Sequence, residues 1–277
     1  MYKLIKYFHY ILQVPISTLF ILNSKKIHPS YKLNFIKKLF LGVRFFINTI
    51  FIKTYTSYKT HLVMALKIFE TPPETEGFIL ECGTFKGGCA ANLSLVAKMT
   101  NRKLLVYDSF EGLPEIIQAD REGKNYNKGD FLGSLDEVQN NISKYGKIDN
   151  VEFVKGWFEN TLPNLNNKIL LAFIDVDLEA SLDVCIKNIW PNLIEKGYVF
   201  MDEVVGTDYL ALFYSERFWK ENFNRHPPGL IGAGTGLPLG EYYIGPYNER
   251  DDHPLQHPNS GAWTRKDFSG FWNYYPE

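Results

Sequence analysis

Acidic side chains and glycines follow several apolar runs in this chain, at the places where an α/β protein binds its ligand. The run Phe78–Gly83 ends in a glycine, and Gly87 and Gly88 follow within the same turn. Such a turn lets a ligand approach the backbone, and the helix after it offers unpaired N–H groups. The next run ends at Asp108, 25 residues after Gly83, and an acid at this spacing typically binds the two hydroxyls of a ribose. The pattern favours a binding site for a nucleoside-containing cofactor. The alternative is that the glycine turn serves only the packing of the chain.

The residues of the turn favour S-adenosylmethionine over a dinucleotide. A dinucleotide would place its pyrophosphate close to Glu81, and like charges repel. S-adenosylmethionine has no phosphate: its ammonium group would pair with Glu81, and its carboxylate would accept backbone N–H bonds. Thr84 and Phe85, inside the turn, are further candidate contacts. The glycines are spaced GxxxGG, which differs from the GxGxxG of dinucleotide sites.

Carboxylates also follow two later apolar runs. Asp175 and Asp177 end one run, and Asp202 and Glu203 end the next. Neighbouring parallel strands would bring these groups to one edge, where unpaired carboxylates repel and raise each other's pKa. A hard divalent cation removes that cost, and all-oxygen ligands indicate Mg²⁺. The alternative is that two of these acids cap helices or bind lysines.

The elements that must position these residues alternate between strands and helices. Short apolar runs separated by stretches of helical spacing predict a doubly wound, Rossmann-like parallel sheet with helices on both faces. The predicted strands are Phe78–Gly83, Lys103–Asp108, Val151–Val154, Ile169–Asp175 and Gly197–Asp202, and the predicted helices are Ala90–Met99, Ser134–Tyr145, Ser181–Leu193 and Tyr209–Phe223. Two short runs within Gly229–Tyr247 predict an antiparallel pair. The polar stretch Leu113–Gly133 is predicted to be a loop that closes over the site as a lid.

A basic block precedes this pattern. Up to Phe69 the chain has 11 Lys and Arg and no acid, whereas the other 208 residues carry 19 basic and 31 acidic side chains. The apolar runs Tyr7–Leu22 and Leu39–Ile52 are interrupted by polar residues, so amphipathic helices are favoured over a membrane span. Two interpretations stay open: residues 1–60 lie on an anionic membrane surface, or they pack on the domain or a second subunit.

Composition fixes the broad class. With 277 residues, 45% hydrophobic and 22% charged, the chain is an ordinary globular protein. Its three cysteines suit a reducing compartment. We expect a basic helical extension (1–70), a catalytic domain (71–250) and an aromatic-rich tail (251–277). The predicted location is cytoplasmic, and peripheral contact with the inner face of the membrane is an added hypothesis. We expect no nucleic-acid partner, and a homo-oligomer is an open option.

Five segments together resemble the macrocin O-methyltransferase (TylF-type) family of class I methyltransferases. They occur in order between Thr71 and Phe223: ECGTFKGG, VYDSFEGLP, VEFVKGWFENTLP, FIDVDLEAS and YVFMDEV. The resemblance implies S-adenosylmethionine, a divalent metal and, in many members, a sugar hydroxyl as acceptor. It implies that Glu81, Gly83 and Gly87 line the methionine end and that Asp108 holds the ribose. It further implies an adenine site at Ser109, Gly156 and Trp157, and a metal held by Asp175, Asp202 and Glu203.

The chain departs from the family pattern at two places. Glu179 and Ala180 replace the usual Tyr and Glu, and Glu203 and Val204 follow Asp202 where Asp and Tyr are usual. From the candidate residues and the resemblance together, we predict a metal-assisted O-methyltransferase in which Asp175 takes the acceptor proton. The alternative is a membrane-associated binding or scaffold protein that keeps the fold without turnover. A Rossmann-type enzyme acting on a nucleotide sugar is less favoured, because no Tyr-x-x-x-Lys pair stands where it would be needed.

Overall fold

A computed structural model describes residues 2–115, 126–202, 211–233 and 262–268. The helices in these ranges are α1 (Tyr2–Ile21), α2 (Phe35–Phe51), α3 (Tyr58–Phe69), α4 (Gly88–Met99), α5 (Leu135–Tyr145), α6 (Phe158–Thr161), α7 (Glu179–Asn192) and α8 (Glu216–Phe223). The strands are β1 (Phe78–Cys82), β2 (Leu104–Asp108), β3 (Val151–Lys155), β4 (Ile169–Ile174), β5 (Leu193–Met201), β6 (Gly232–Ala233) and β7 (Ala262–Arg265).

One sheet joins the described strands in the order β3-β2-β1-β4-β5-β7-β6. The strands β1 to β5 are parallel, and β7 runs antiparallel to β5 and β6. Every residue of β4 is buried, as an apolar strand covered on both faces should be. The order reverses between β1 and β4, so a crevice opens beyond the carboxyl ends of these two strands. The predicted doubly wound fold is confirmed.

The basic block packs on the sheet and its helices through its inner side. One hydrophobic core contains side chains from α1, α2 and α3 together with α4, α5 and the facing residues of the sheet. The first two helices approach closely where Thr18 meets Gly42: a Cβ added at Gly42 would lie 1.8 Å from the Thr18 Oγ1. Packing on the domain, one of the two open interpretations of residues 1–60, is therefore observed. No helix in the described ranges is long and apolar enough to cross a membrane.

The opposite face of the sheet is covered by α7 and α8. Trp190 on α7 and Trp219 on α8 meet edge to face with ring centroids 4.6 Å apart. The indole N–H of Trp219 donates to the Leu212 carbonyl at 2.8 Å, so this fully buried ring leaves no polar atom unsatisfied. The helix predicted over Tyr209–Phe223 is interrupted by a turn at residues 213–214, and α8 begins after Ser215, whose hydroxyl accepts the Phe218 N–H. Residues 203–210 lie outside the described ranges.

The chain after α8 adds two strands to the sheet. Residues 234–247, most of the segment in which an antiparallel pair was predicted, lie outside the described ranges. The described strand β6 (Gly232–Ala233) pairs with β7, which comes from residues 262–265. The same strand pairs with β5, so part of the segment assigned to an aromatic-rich tail belongs to the sheet. Within the Leu113–Gly133 stretch, residues 116–125 lie outside the described ranges. The two described ends of this stretch are held together by backbone hydrogen bonds: the Leu113 N–H donates to the Asp130 carbonyl, and the Gly129 N–H donates to the Leu113 carbonyl.

Candidate active site

The glycine turn after β1 is bent against the end of β4. Gly83 and Gly87 have φ of +81° and +82°, a region that favours glycine. A Cβ added at Gly83 would lie 1.9 Å from the backbone oxygen of Asp175. Gly87 is the N-cap of α4, so the free N–H groups of that helix point toward the turn. The turn therefore leaves room for a ligand only on the side away from β4.

Asp108 closes the turn from the neighbouring strand. Its two carboxylate oxygens accept the Thr84 N–H and the Phe110 N–H, both at 2.7 Å. Burial raises the pKa of Asp108, and these N–H bonds oppose the rise by stabilising the charged form. A carboxylate oxygen has two lone pairs, so each can still accept a hydroxyl. Asp108 thus orders the turn and retains the capacity to hold a diol.

Glu81 lies beneath the turn and is almost completely buried. Burial raises its pKa to about 8; the charge of Asp108 adds to the rise, and the Thr84 side chain and the Ala90 backbone oppose it. Its Oε2 atom has no hydrogen-bond partner among the residues that the structure describes. A buried carboxyl in this state is protonated at neutral pH until a cation approaches it.

The residues assigned to the adenine lie at the same edge of the sheet, beyond β2 and β3. Ser109 is buried, accepts the Glu111 N–H and donates to the Gly112 carbonyl at 3.2 Å. The Gly156 N–H donates to the Asp108 carbonyl at 2.9 Å, which fixes the end of β3 beside the end of β2. Trp157, partly exposed, begins the short helix α6. The structure thus brings Ser109 and Gly156 beside Asp108, and Trp157 follows Gly156 directly in the chain.

The two described carboxylates of the expected metal site end adjacent strands. The Asp175 N–H donates to the Cys82 carbonyl at 2.9 Å, and the Asp202 N–H donates to the Ile174 carbonyl at 3.2 Å. Glu203 lies outside the described residues. Across the described ranges, no three His, Cys, Asp or Glu side chains form a group that could hold a metal ion. Asp177, the second acid after β4, contacts another segment of the chain: its Oδ1 accepts a hydrogen bond from the Tyr126 hydroxyl at 3.1 Å.

The connection between α2 and α3 reaches into this site, which the sequence interpretation missed. The buried Thr56 hydroxyl donates to Asp175 Oδ2 at 3.1 Å, although the two residues are 119 positions apart. Thr54 lies against Gly88, where an added Cβ would meet the Thr54 Cβ at 2.8 Å. No local sequence signal marks these residues, since their role depends on where two helices of the basic block end.

An aromatic cluster lines the same side of the site. Tyr55 stacks on Phe85 with ring centroids 5.5 Å apart, and Phe131 meets both rings edge to face. Tyr126 in turn contacts Phe131. The Tyr55 side chain is 40% exposed, so the cluster presents an aromatic surface to solvent beside the carboxylates. Phe85, expected to contact the cofactor, is therefore also part of this aromatic cluster.

The sequence profile of the macrocin-O-methyltransferase (TylF) family matches residues 67–226. The chain belongs to this family. The match includes α4, β1 to β5, the glycine turn and the carboxylates described above. It begins within α3, so α1 and α2 lie outside it.

Curated proteins similar to this TylF-family chain are named as O-methyltransferases. It is 32% identical over 137 residues to a tetracenomycin rhamnosyl 4'-O-methyltransferase of Streptomyces olivaceus, covering 46% of this chain and 52% of that protein. It is 31% identical over 140 residues to mycinamicin III 3''-O-methyltransferase of Micromonospora griseorubida, covering 46% and 55%. The chain spans about half the length of the curated relatives it matches.

Solved structures support the fold. The O-methyltransferase NovP superposes with a TM-score of 0.57 at 19% identity, covering 92% of this chain and 98% of NovP. The calicheamicin methyltransferase CalS11 gives 0.53 at 16% identity, covering 92% and 91%. At these identities the likeness establishes the Rossmann-like methyltransferase fold of the TylF-family chain.

Proposed function

We propose that this TylF-family protein transfers the methyl group of S-adenosylmethionine to a hydroxyl of a sugar. The sugar would belong to a glycan, a glycolipid or a natural product. The observation that carries the proposal is the family match across the glycine turn, Asp108 and the carboxylates at the ends of β4 and β5. The name of one relative supports a sugar acceptor, since it includes a rhamnosyl group.

The residues of the turn fit S-adenosylmethionine. Asp108 would accept both ribose hydroxyls, and Ser109, Gly156 and Trp157 would border the adenine. The buried carboxyl of Glu81 has an unsatisfied oxygen, which the ammonium group of the cofactor would pair with. The N-terminus of α4, which follows the turn directly, would take the cofactor carboxylate.

The transfer is a displacement at the methyl carbon. The acceptor oxygen forms the new C–O bond while the C–S bond of the sulfonium breaks and S-adenosylhomocysteine leaves. The hydroxyl proton must also leave, and Asp175 at the carboxyl end of β4 is the candidate base. The Thr56 hydroxyl holds one oxygen of Asp175 and thereby fixes the orientation of this carboxylate. The aromatic cluster around Tyr55 would exclude water and contact the sugar ring.

Metal assistance is the finer part of the proposal. Asp175 and Asp202 at adjacent strand ends, with Glu203 as a third oxygen donor, have the chemistry that Mg²⁺ prefers. A bound divalent ion would lower the pKa of the acceptor hydroxyl and orient it. EDTA should then abolish turnover and Mg²⁺ restore it, and Asp202→Asn should lose turnover while keeping cofactor affinity. Full activity in EDTA would assign these carboxylates a structural role.

Activity can be tested with methyl-deuterated S-adenosylmethionine. The purified protein is incubated with nucleotide-activated sugars, glycans and glycolipids, and label transfer is followed by mass spectrometry, with Asp175→Asn as the control. We expect label on one hydroxyl with the wild-type protein and a loss of at least about a hundredfold in the variant. Cofactor binding without transfer or metal dependence would instead favour the non-catalytic scaffold alternative.

We also propose a cytoplasmic location with peripheral contact to the inner face of a membrane. The excess of lysine and arginine before Thr71 supports attraction to anionic lipid, and the net negative remainder supports an orientation away from it. A homo-oligomer that uses the same block is the competing proposal.

A further inference from the structure

The first two helices leave a row of large apolar side chains in solvent. On α1 these side chains recur at helical spacing, on the side opposite the buried Val14, Thr18 and Ile21. On α2 they lie opposite the buried Leu41 and Phe45. We call this set the outer face; its members are Phe8, Ile11, Leu12, Ile16 and Phe20 on α1 and Phe35, Ile36, Phe40, Val43 and Phe51 on α2.

The outer face is too apolar to be an ordinary solvent-exposed surface. Ile36 and Phe40 are 73% and 70% exposed. Single exposed apolar residues need no explanation, but a contiguous set on two packed helices marks a contact with another molecule or a membrane. The helices themselves are held by the Thr18–Gly42 approach and by the core beneath them, so the face is presented by a packed element of the fold.

The charges around the outer face identify its partner. Lys25 and Lys26 are exposed just after α1, and Lys32 and Lys37 are exposed before and within the first turns of α2. No acidic residue occurs before Glu70. A second copy docked face to face would bring like charges together, because a two-fold contact uses the same patch on both subunits. An anionic lipid surface complements both the apolar row and its basic border.

We infer that the outer face of α1 and α2 is a lipid-contact surface that seats the protein on an anionic bilayer without crossing it. This deepens the location given under the proposed function. Apolar side chains enter the headgroup region and the lysines bind the lipid phosphates. Salt weakens only the attraction between the lysines and the lipid phosphates, so high salt removes part of the binding.

The experiment is flotation of the full-length protein with two kinds of vesicle, phosphatidylcholine alone and phosphatidylcholine with phosphatidylglycerol. Ile16→Glu and Phe40→Glu each add one negative charge to the outer face. Met99→Glu adds the same charge at an exposed apolar residue of α4, and serves as the control. Thermal unfolding and S-adenosylhomocysteine binding are measured for all four proteins.

We expect the wild type to float with the anionic vesicles, and each outer-face variant to lose affinity about tenfold or more while Met99→Glu changes little. Unchanged flotation of Phe40→Glu, or equal flotation on neutral vesicles, would overturn the inference. So would a wild-type dimer in sedimentation that Phe40→Glu dissociates, since the face would then belong to a second copy. Unchanged S-adenosylhomocysteine binding keeps this result separate from a failure of the proposed catalytic function.

Discussion

Glu81 should make the stability of this protein fall as the pH rises, and Glu81→Gln should remove that dependence. Burial raises the pKa of Glu81 from 4.5 to about 8. Because the folded state binds the proton more tightly, its stabilisation is complete below about pH 4.5 and is lost as the pH rises through about 8. At about 1.4 kcal/mol for each pKa unit, the loss in unfolding free energy is at most about 5 kcal/mol. Gln keeps the shape of Glu81 without an ionisable proton.

Urea denaturation at pH 5, 7 and 9 measures the effect, as the difference between wild type and variant. Glu76→Gln is the control, because Glu76 is exposed and pairs with Lys168 at 3.0 Å at the surface. We expect the Glu76→Gln curve to follow the wild type and the Glu81→Gln curve to diverge from it progressively as the pH rises from 5 to about 8. Parallel curves for all three proteins would refute the reasoning that Glu81 is held in a low-dielectric site.

The same carboxyl should couple cofactor binding to proton release. An ammonium group beside Glu81 would favour the carboxylate, so binding of S-adenosylhomocysteine at pH 7 should release roughly 0.9 proton from a group with a pKa near 8. Calorimetry in buffers of different ionisation enthalpy measures this number. Glu81→Gln should bind without release, and release equal to the wild type would place the ammonium group elsewhere.

Substitutions at three positions test the geometry of the site. Asp108→Asn should weaken S-adenosylhomocysteine binding by about 1–3 kcal/mol in calorimetry, and unchanged affinity would exclude a ribose contact. Thr56→Val should lower turnover by about tenfold to a hundredfold with cofactor affinity intact, whereas Thr56→Ser should keep both; equal losses in the two variants would argue against the bond to Asp175. Gly83→Ala should cost roughly 2–4 kcal/mol of stability by urea denaturation, because its φ is positive and the new Cβ meets Asp175; a neutral result would mean the turn can relax.

The parts of the site that the sequence predicted are those that follow a buried strand. Gly83 and Asp108 each come directly after an apolar run, and parallel strands bring their carboxyl ends to one edge. Pattern alone therefore predicts that they meet. The helix after Ser134 was predicted for a similar local reason: the Ser134 hydroxyl accepts the Glu137 N–H as the capping pattern requires.

The rest depends on contacts between distant segments. Thr56 meets Asp175 across 119 residues, and nothing near Thr56 in sequence distinguishes it from an ordinary turn residue. The strand β7 has four residues within an irregular aromatic-rich segment, and it forms because β5 offers an unpaired edge. Such pairings are fixed by tertiary packing, which periodicity does not record.

The basic block cannot be treated as a detachable membrane anchor, because its two sides have different roles. Its inner side supplies core residues and places Thr56 on Asp175, while its outer face remains in solvent. A chain shortened to begin near Thr71 would lose the proposed lipid-contact surface, but it would also expose the core that α1 to α3 cover and remove a partner of the candidate base. Loss of flotation in that chain would therefore carry no information about lipid. Single substitutions on the outer face, such as Phe40→Glu, separate the two roles because that side chain is 70% exposed and lies outside the core.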